Sequence, residues 1–319
     1  MRTAVPCVVA QASGTRVQAG SEGGRRIRVH RPEGRVPGFR NDVPMMTLAE
    51  LQAKARWVWQ QTLLIHKRAP ETRVASSLSP VEALVCLYYG DILRFSPKEP
   101  LWEGRDRLIV SKGHGSIALY PILADLGFFP LSELEQVCRP GSFLGGIPDP
   151  VIPGYETVNG SLGHGLGVGC GMALALQRRH SSNRVWVLVG DGELHEGAVW
   201  EAIMFAGHHR LGNLTLIVDN NSRCMLNDTA CVVTLAPLAE KLKAFGWRVE
   251  ECDGHDLAAL HPRLSAIGRE PAGQPVALIA NTIKGHGVPS LEASPISHVL
   301  SVPAGEIDRL LAGDYAGAH

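Results

Sequence analysis

The pattern of apolar and polar positions changes character twice along the chain. Up to residue 44 no apolar spacing of 3.6 or 2.0 residues recurs, so that stretch offers no face to bury. From Thr47 the spacing is helical: Leu48, Leu51, Ala55, Val58, Trp59, Thr62, Leu63 and His66 share one face, and Thr47-Leu48-Ala49-Glu50 has the form of a capping box. Ser79-Pro80-Val81-Glu82 looks like a second box, with proline at the first helical position, and predicts a helix through Leu93. Further helices are predicted over 115–126 and 165–179. Beyond residue 180 the pattern alternates. Strands are predicted over 185–189, 214–218 and 276–283 and an extended segment over 247–251, with helices over 198–211, 237–245 and 257–267 between them. Strands that are apolar at nearly every position, separated by helices, imply a parallel sheet covered on both faces. The expected fold is therefore α/β, a doubly wound, mostly parallel sheet without internal repeats, with ligands beyond the C-terminal ends of the strands.

Charge sharpens the division at residue 44. Residues 1–44 carry eight arginines and three acids, so they are strongly basic, and the overall formal charge of zero leaves the remainder mildly acidic. A disordered basic extension over 1–44 and a single folded domain over 45–319 are expected. The extension reads as a plain leader ahead of Met45 or Met46, an arm for an acidic partner, or a transit-like segment. Balanced charge argues against a nucleic-acid partner. No apolar run approaches the roughly 18 residues of a membrane span, and no secretory h-region is present at the start. Seven widely spaced cysteines without a CxxC pair point to reduced thiols and a cytoplasmic location.

The chemistry sits at the strand ends. Gly190-Asp191-Gly192 closes the 185–189 strand, and Asn220-Asn221 closes the next strand thirty residues later. Consecutive parallel strands end at the same sheet edge, so Asp191 and Asn221 converge. A carboxylate and an amide oxygen are hard ligands for Mg²⁺ or Ca²⁺, and magnesium commonly completes its shell with phosphate oxygens. Gly192 leaves room for a diphosphate at what is expected to be the start of the following helix. A plain Asp-Gly turn beside an Asn-rich loop is the simpler alternative, which the strand context and spacing disfavour.

Gly190-Asp191-Gly192 with Glu196-Gly197, then Val199-Trp200-Glu201-Ala202, then 213–221 resembles the thiamine-diphosphate motif of transketolases, most closely their separately encoded N-terminal subunits. Further blocks agree: 105–115, Asn159-Gly160-Ser161-Leu162-Gly163-His164-Gly165, Asp253-Gly254-His255-Asp256 and 282–287. The resemblance implies a thiamine-diphosphate-binding (PP-type) domain, with Asp191, Asn221 and the Arg223 carbonyl as metal ligands. It implies that His114 reaches the diphosphate and that Gly160, Ser161 and Leu162 touch the aminopyrimidine. Gly190 and Gly192 flank the metal ligand, Glu196 links cofactor sites across a dimer, and His298 lies near diphosphate and substrate. His114, Glu196 and His298 are then the residues closest to catalysis. His66, His180, His208, His209 and His261 are expected to be core or surface imidazoles, and His195 and His286 are not assigned to the site.

In this family the glutamate that activates the cofactor lies on a pyrimidine-binding domain, further along the chain or on a partner. The resemblance therefore implies a C-terminal transketolase-like subunit and an α₂β₂ assembly, acting on sugars or 2-oxo acids. Two positions depart from the family pattern. Arg73 stands where a substrate histidine is usual, and Ile147 stands where a histidine contacts donor hydroxyls. An apolar side chain cannot reward a hydroxyl with a hydrogen bond. A deoxygenated ketose or pyruvate is one expected donor class, consistent with the likeness of Val74-Ala75-Ser76-Ser77-Leu78 to deoxyxylulose phosphate synthases; restoration of the contacts by the partner is the other. Two rival readings remain: the α subunit of a 2-oxo-acid or acetoin dehydrogenase, and a non-catalytic scaffold subunit.

Overall fold

The computed structural model describes residues 46–269 and 273–313; the expected basic extension over 1–44 lies outside them. In chain order the elements are α1 (Leu48–Arg68), α2 (Val74–Leu78), α3 (Val81–Tyr89), β1 (Arg107–Val110), α4 (Leu119–Asp125), α5 (Gly165–Arg178), β2 (Val185–Gly190), α6 (Gly197–His208), β3 (Leu214–Asn220), α7 (Thr229–Val232), α8 (Leu238–Ala244), β4 (Arg248–Asp253), α9 (Leu257–Arg269), β5 (Val276–Asn281), α10 (Pro289–Glu292) and α11 (Ala304–Gly313). The strands pair in the order β1-β2-β3-β5-β4, and every pairing is parallel.

Alternation along each strand divides the sheet between two helical layers. Leu108, Val110, Trp186, Leu188, Ile217 and Leu278 join the side chains of α1, α3, α4 and α9 in one apolar core. Ile109, Val187, Val189, Leu216, Val218 and Ile279 join those of α5, α6 and α8 in the other. The chain moves outward from β2 through β3 to β4 over the α6/α8 face and returns from β4 to β5 over the α9 face. Opposite directions of travel use opposite faces, as right-handed crossovers require. The sheet is thus doubly wound as expected, with four of its five strands ending where the candidate residues lie.

Several local expectations are corrected. The Thr47 box forms, with the Glu50 N–H donating to Thr47 Oγ1 at 3.3 Å and the Thr47 N–H to the Glu50 carboxylate at 2.7 Å. The Ser79 box does not. Pro80 occupies the N-cap of α3 without a side-chain cap, because Ser79 Oγ donates instead to Asp219 at 2.7 Å and Glu82 turns to His255. Helix α3 stops at Tyr89 rather than Leu93, since Gly90 lies against His261 and Asp91 takes a positive φ of 56°. The 115–126 segment is helical only from Leu119, after a 3₁₀ turn at Gly113–Gly115. Strand β1 was hidden in the sequence by its brevity and its leading arginine.

A third apolar cluster unites α1, α2 and the C-terminal segment through Trp59, Leu63, Val74, Val288, Val302 and Ile307. At its edge His66 is fully buried. Its Nε2 accepts the Val302 N–H at 3.0 Å, so the proton sits on Nδ1 and donates to Thr72 Oγ1 at 2.9 Å. Burial holds its pKa down at about 4. The unfolded chain takes up this proton near pH 6.5 and the folded chain does not until about pH 4. The ring's contribution is therefore intact above pH 6.5 and lost on acidification through that window, by about 3 kcal/mol. Urea unfolding of wild type and His66→Gln across this range checks the sign: the variant should show a shallower acid limb, and parallel limbs refute the assignment.

Candidate active site

Adjacent strand ends bring Asp191 and Asn221 to one place. Gly190 lies in register with Asp219, and the Asp191 N–H donates to the Asp219 carbonyl at 3.1 Å. Asp191 is buried; its Oδ1 accepts the Gly192 N–H at 2.9 Å, and Thr229 Oγ1 stands 3.4 Å from Oδ2. Burial, reinforced by the nearby Asp219, raises its pKa to about 6. Asn221 donates to Asp219 Oδ2 at 3.2 Å and accepts the Arg223 N–H at 3.2 Å. Ser222 between them adopts φ 60°, an uncommon conformation for a non-glycine residue, which turns the chain back along the site. The Arg223 carbonyl accepts from Lys284 Nζ at 3.2 Å. A Cβ on Gly192 would stand 2.9 Å from the Cβ of Cys224, so only glycine permits this approach of the two loops.

Gly192 does not open a long helix. It begins a 3₁₀ turn, Gly192–His195, and α6 starts only at Gly197. The reason is Glu193, whose buried carboxylate ties the turn to its neighbours. Oε1 accepts from Ser111 Oγ and from the Gly163 N–H at 2.9 Å, while Oε2 accepts the Gly190 N–H at 3.3 Å. Burial raises its pKa against these hydrogen bonds. Glu196, at the N-cap of α6, is exposed. Gly163 adopts φ 87°, and a Cβ there would lie 2.7 Å from that of Glu196.

His114, in the 3₁₀ turn after β1, faces His298 with ring centroids 4.8 Å apart. Burial, with Lys112 and the other neighbouring cations adding to it, pushes His114 to about 2; burial with Lys284 and Arg73 pushes His298 to about 4. Both rings are neutral near pH 7. The loop bearing Gly160, Ser161 and Leu162 meets this turn, since a Cβ on Gly113 would lie 3.0 Å from the Gly160 nitrogen. Ile147 is half exposed and covers Gly160 at 3.6 Å, again measured to an added Cβ. Arg73 is exposed at the start of α2, which packs on the His114 turn through Ser76. Gly160 and Ser161 are also exposed. The remaining histidines conform: His180 and His208 lie on the surface, and His261 caps Gly90.

Sequence reasoning missed the polar frame beneath these residues. Lys112 and Asp219 form an ion pair, both almost wholly buried. Ser79 and Thr282 hydroxyls also donate to Asp219. Burial alone would raise the Asp219 pKa, but Lys112 and these donors hold it below the usual carboxylate range. Lys284 is buried and reaches His298 Nδ1 at 3.0 Å, with burial and then Lys112 lowering its pKa to about 8. Lys112, Asp219, Thr282 and Lys284 all stand inside the motif blocks. The available signal was an ionisable residue embedded in an apolar run, as in Val218-Asp219.

The donor set fits a metal diphosphate. A buried carboxylate repelled by a second one favours a cation beside it, and Lys284, Lys112 and Arg73 favour an anion. The Ser76 hydroxyl and the Asn159 amide nitrogen are buried without a hydrogen-bond partner at this same edge. A parallel sheet that gathers hard oxygen ligands and cations at its C-terminal edge defines the class, an α/β domain for a cofactor diphosphate. Comparison with known proteins narrows it. Residues 75–312 match the family described as transketolase, thiamine diphosphate binding domain, and the chain belongs to that family. It is 38% identical over 252 residues to the 6-deoxy-6-sulfo-D-fructose transketolase subunit SqwG of Clostridium sp. (strain MSTE9), covering 78% of this chain and 90% of that relative. To one of the subunits of the apulose-4-phosphate transketolase of Actinobacillus succinogenes it is 37% identical, covering 81% of this chain and 92% of that relative. The structure of transketolase from Campylobacter jejuni superposes with a TM-score of 0.77 at 28% identity over 85% of this chain, which spans 44% of that longer protein. No helix among the described residues is long and apolar enough to cross a membrane.

Proposed function

We propose that the chain, with residues 45–319 as its cofactor domain, is the N-terminal subunit of a split, cytoplasmic transketolase-like transferase, completed by a C-terminal subunit that carries the pyrimidine-binding domain. The single observation that carries the site assignment is the buried Asp191–Asn221 pair at adjacent strand ends, walled by lysines. In this reading Asp191, Asn221 and the Arg223 carbonyl hold Mg²⁺ or Ca²⁺. His114, Lys284 and His298 face the diphosphate as neutral or cationic donors, Gly160, Ser161 and Leu162 line the aminopyrimidine side, and Glu196 meets a second copy from its exposed position. Bound thiamine diphosphate supplies the electron sink for breaking a carbon–carbon bond next to a carbonyl. The chain's own part is to orient the cofactor and to keep two uncharged imidazoles beside it. The word subunit in the names of two relatives, each covered to at least 90%, supports a two-chain enzyme.

The test is a calorimetric titration of the co-purified subunit pair with thiamine diphosphate. Binding should require added Mg²⁺ and vanish with EDTA; affinity that survives EDTA refutes the metal assignment. Arg73 and Ile147, both exposed where the family pattern has histidines, favour a donor other than an ordinary pentose-phosphate ketose. The two relatives are named for a sulfonated deoxyketose and for apulose 4-phosphate, which supports varied ketose donors among subunits of this type. The reconstituted pair is accordingly expected to turn over xylulose 5-phosphate at least about tenfold less efficiently than its own donor. High activity on that sugar with none on pyruvate refutes an altered donor.

A further inference from the structure

Glu82, His255 and His286 stand outside the residues assigned to the cofactor, yet they form one partly buried group. Glu82, on α3, is almost fully buried and places Oε2 3.1 Å from His255 Nδ1. The His286 ring stacks on that of His255 with centroids 3.6 Å apart, and its Nδ1 lies 3.5 Å from Glu292 Oε1. One ligand atom from each of Glu82, His255 and His286 falls within 4.8 Å of the others, a spacing that a metal ion tolerates. The hydrogen bonds rule that use out. His255 Nε2 accepts the Ile283 N–H at 2.8 Å, so a metal on Nδ1 would leave the ring with both nitrogens as acceptors, an imidazolate. The proton must instead sit on Nδ1 and point at the Glu82 carboxylate.

Ile283 stands between two residues that enter the candidate active site. Thr282 Oγ1 donates to Asp219, and Lys284 Nζ reaches both the Arg223 carbonyl and His298. We infer that Glu82 and His255 are a positioning pair: the neutral, Nδ1-protonated ring holds the Ile283 N–H and thereby sets Thr282 and Lys284 against the site. The inference rests on the cofactor reading for its functional half, and on this chain's own geometry for its structural half.

The pair works in one protonation state only. His255 is faced by Glu82 from α3, by His286 and the Ile283 N–H from the segment after β5, by Asp219 at the end of β3 and by Asp253 before its own turn. Glu292 of α10 reaches it through His286. Burial disfavours a charge on the ring, but Glu82 and the other acids outweigh it, so its pKa is raised. A second proton on Nε2 would meet the Ile283 N–H at 2.8 Å, donor against donor. Protonation and the Ile283 hydrogen bond therefore exclude each other, and mild acid releases the segment.

Amide hydrogen exchange on the full chain tests this. The protection factor of Ile283 should fall at least about tenfold between about pH 8 and about pH 5.5 in wild type, the equivalent of one hydrogen bond lost. His255→Gln, whose side-chain carbonyl accepts without titrating, should stay protected at both, and His255→Phe at neither. Protection that ignores pH in wild type, or that survives in His255→Phe, overturns the proposal. A parallel calorimetric titration of the co-purified subunit pair with Mg²⁺ and thiamine diphosphate near pH 8 separates the two layers. About tenfold weaker binding by His255→Phe, with His255→Gln within about threefold of wild type, supports the positioning role. Equal binding by the wild-type and His255→Phe pairs overturns that role, whereas a wild-type pair that binds no cofactor overturns the cofactor reading.

Discussion

Lys112→Met is expected to lower the stability of the chain by about 3–5 kcal/mol, because it strands a buried carboxylate. Lys112 and Asp219 are both almost wholly inaccessible, and among the described residues Lys112 is the cation that pairs directly with Asp219. Ser79 at 2.7 Å, Asn221 at 3.2 Å and the Thr282 hydroxyl remain as donors after the substitution, which places the loss toward the lower end of that range. The pH dependence has a definite sign. With lysine present the Asp219 pKa is held down; without it, burial drives the pKa up, so the ionised form is penalised and the loss deepens as pH rises. Adding Asp219→Asn to Lys112→Met removes the stranded charge and should recover most of the stability. Urea unfolding of the three proteins near pH 5 and pH 8 checks all of this. A single variant within about 1 kcal/mol of wild type overturns the account.

Asp191→Ala is expected to weaken magnesium-dependent thiamine diphosphate binding by more than about 100-fold, roughly 2.7 kcal/mol, while leaving the metal-free chain as stable as wild type or more so. The two outcomes come from one fact. Asp191 is buried beside Asp219, and that arrangement already raises its pKa to about 6. A charge held against burial and repulsion is a cost to the metal-free fold and an asset to a cation. Removing it relieves the first and forfeits the second. Thermal unfolding without ligand, paired with calorimetry with Mg²⁺ and cofactor, separates the terms. Retained binding by the variant refutes the ligand assignment, and a collapsed fold refutes the proposed trade-off.

The layered fold was legible because burial on both faces leaves a direct imprint on the strands: 185–189 and 214–218 are apolar at nearly every position, and each ends in the motif that proved to lie at the sheet edge. The candidate site was legible from residue type and strand context at Asp191 and Asn221, whereas His114 entered only through the resemblance of its block to a known family. What escaped were residues whose role depends on partners distant in sequence. Ser79 and Glu82 imitate a helix cap because local spacing is all the sequence offers, yet their partners lie 140 and 173 positions away. Strand β1 escaped because four residues carry too little periodicity. The helix expected at Gly192 was displaced by Glu193, whose carboxylate binds loops that no local rule connects to it.

The third apolar cluster has a consequence for the order in which the molecule is made. The segment from His286 to α11 supplies the carbonyl that accepts the Trp59 indole N–H at 2.9 Å, the Val302 N–H that engages His66, and His298 itself. Helix α1 therefore leaves the ribosome long before the segment that seals its inner face. Because that same segment carries His298, a nascent chain closes this third cluster and gains His298 beside His114 in one late event. Chains that stop before residue 286 should have neither.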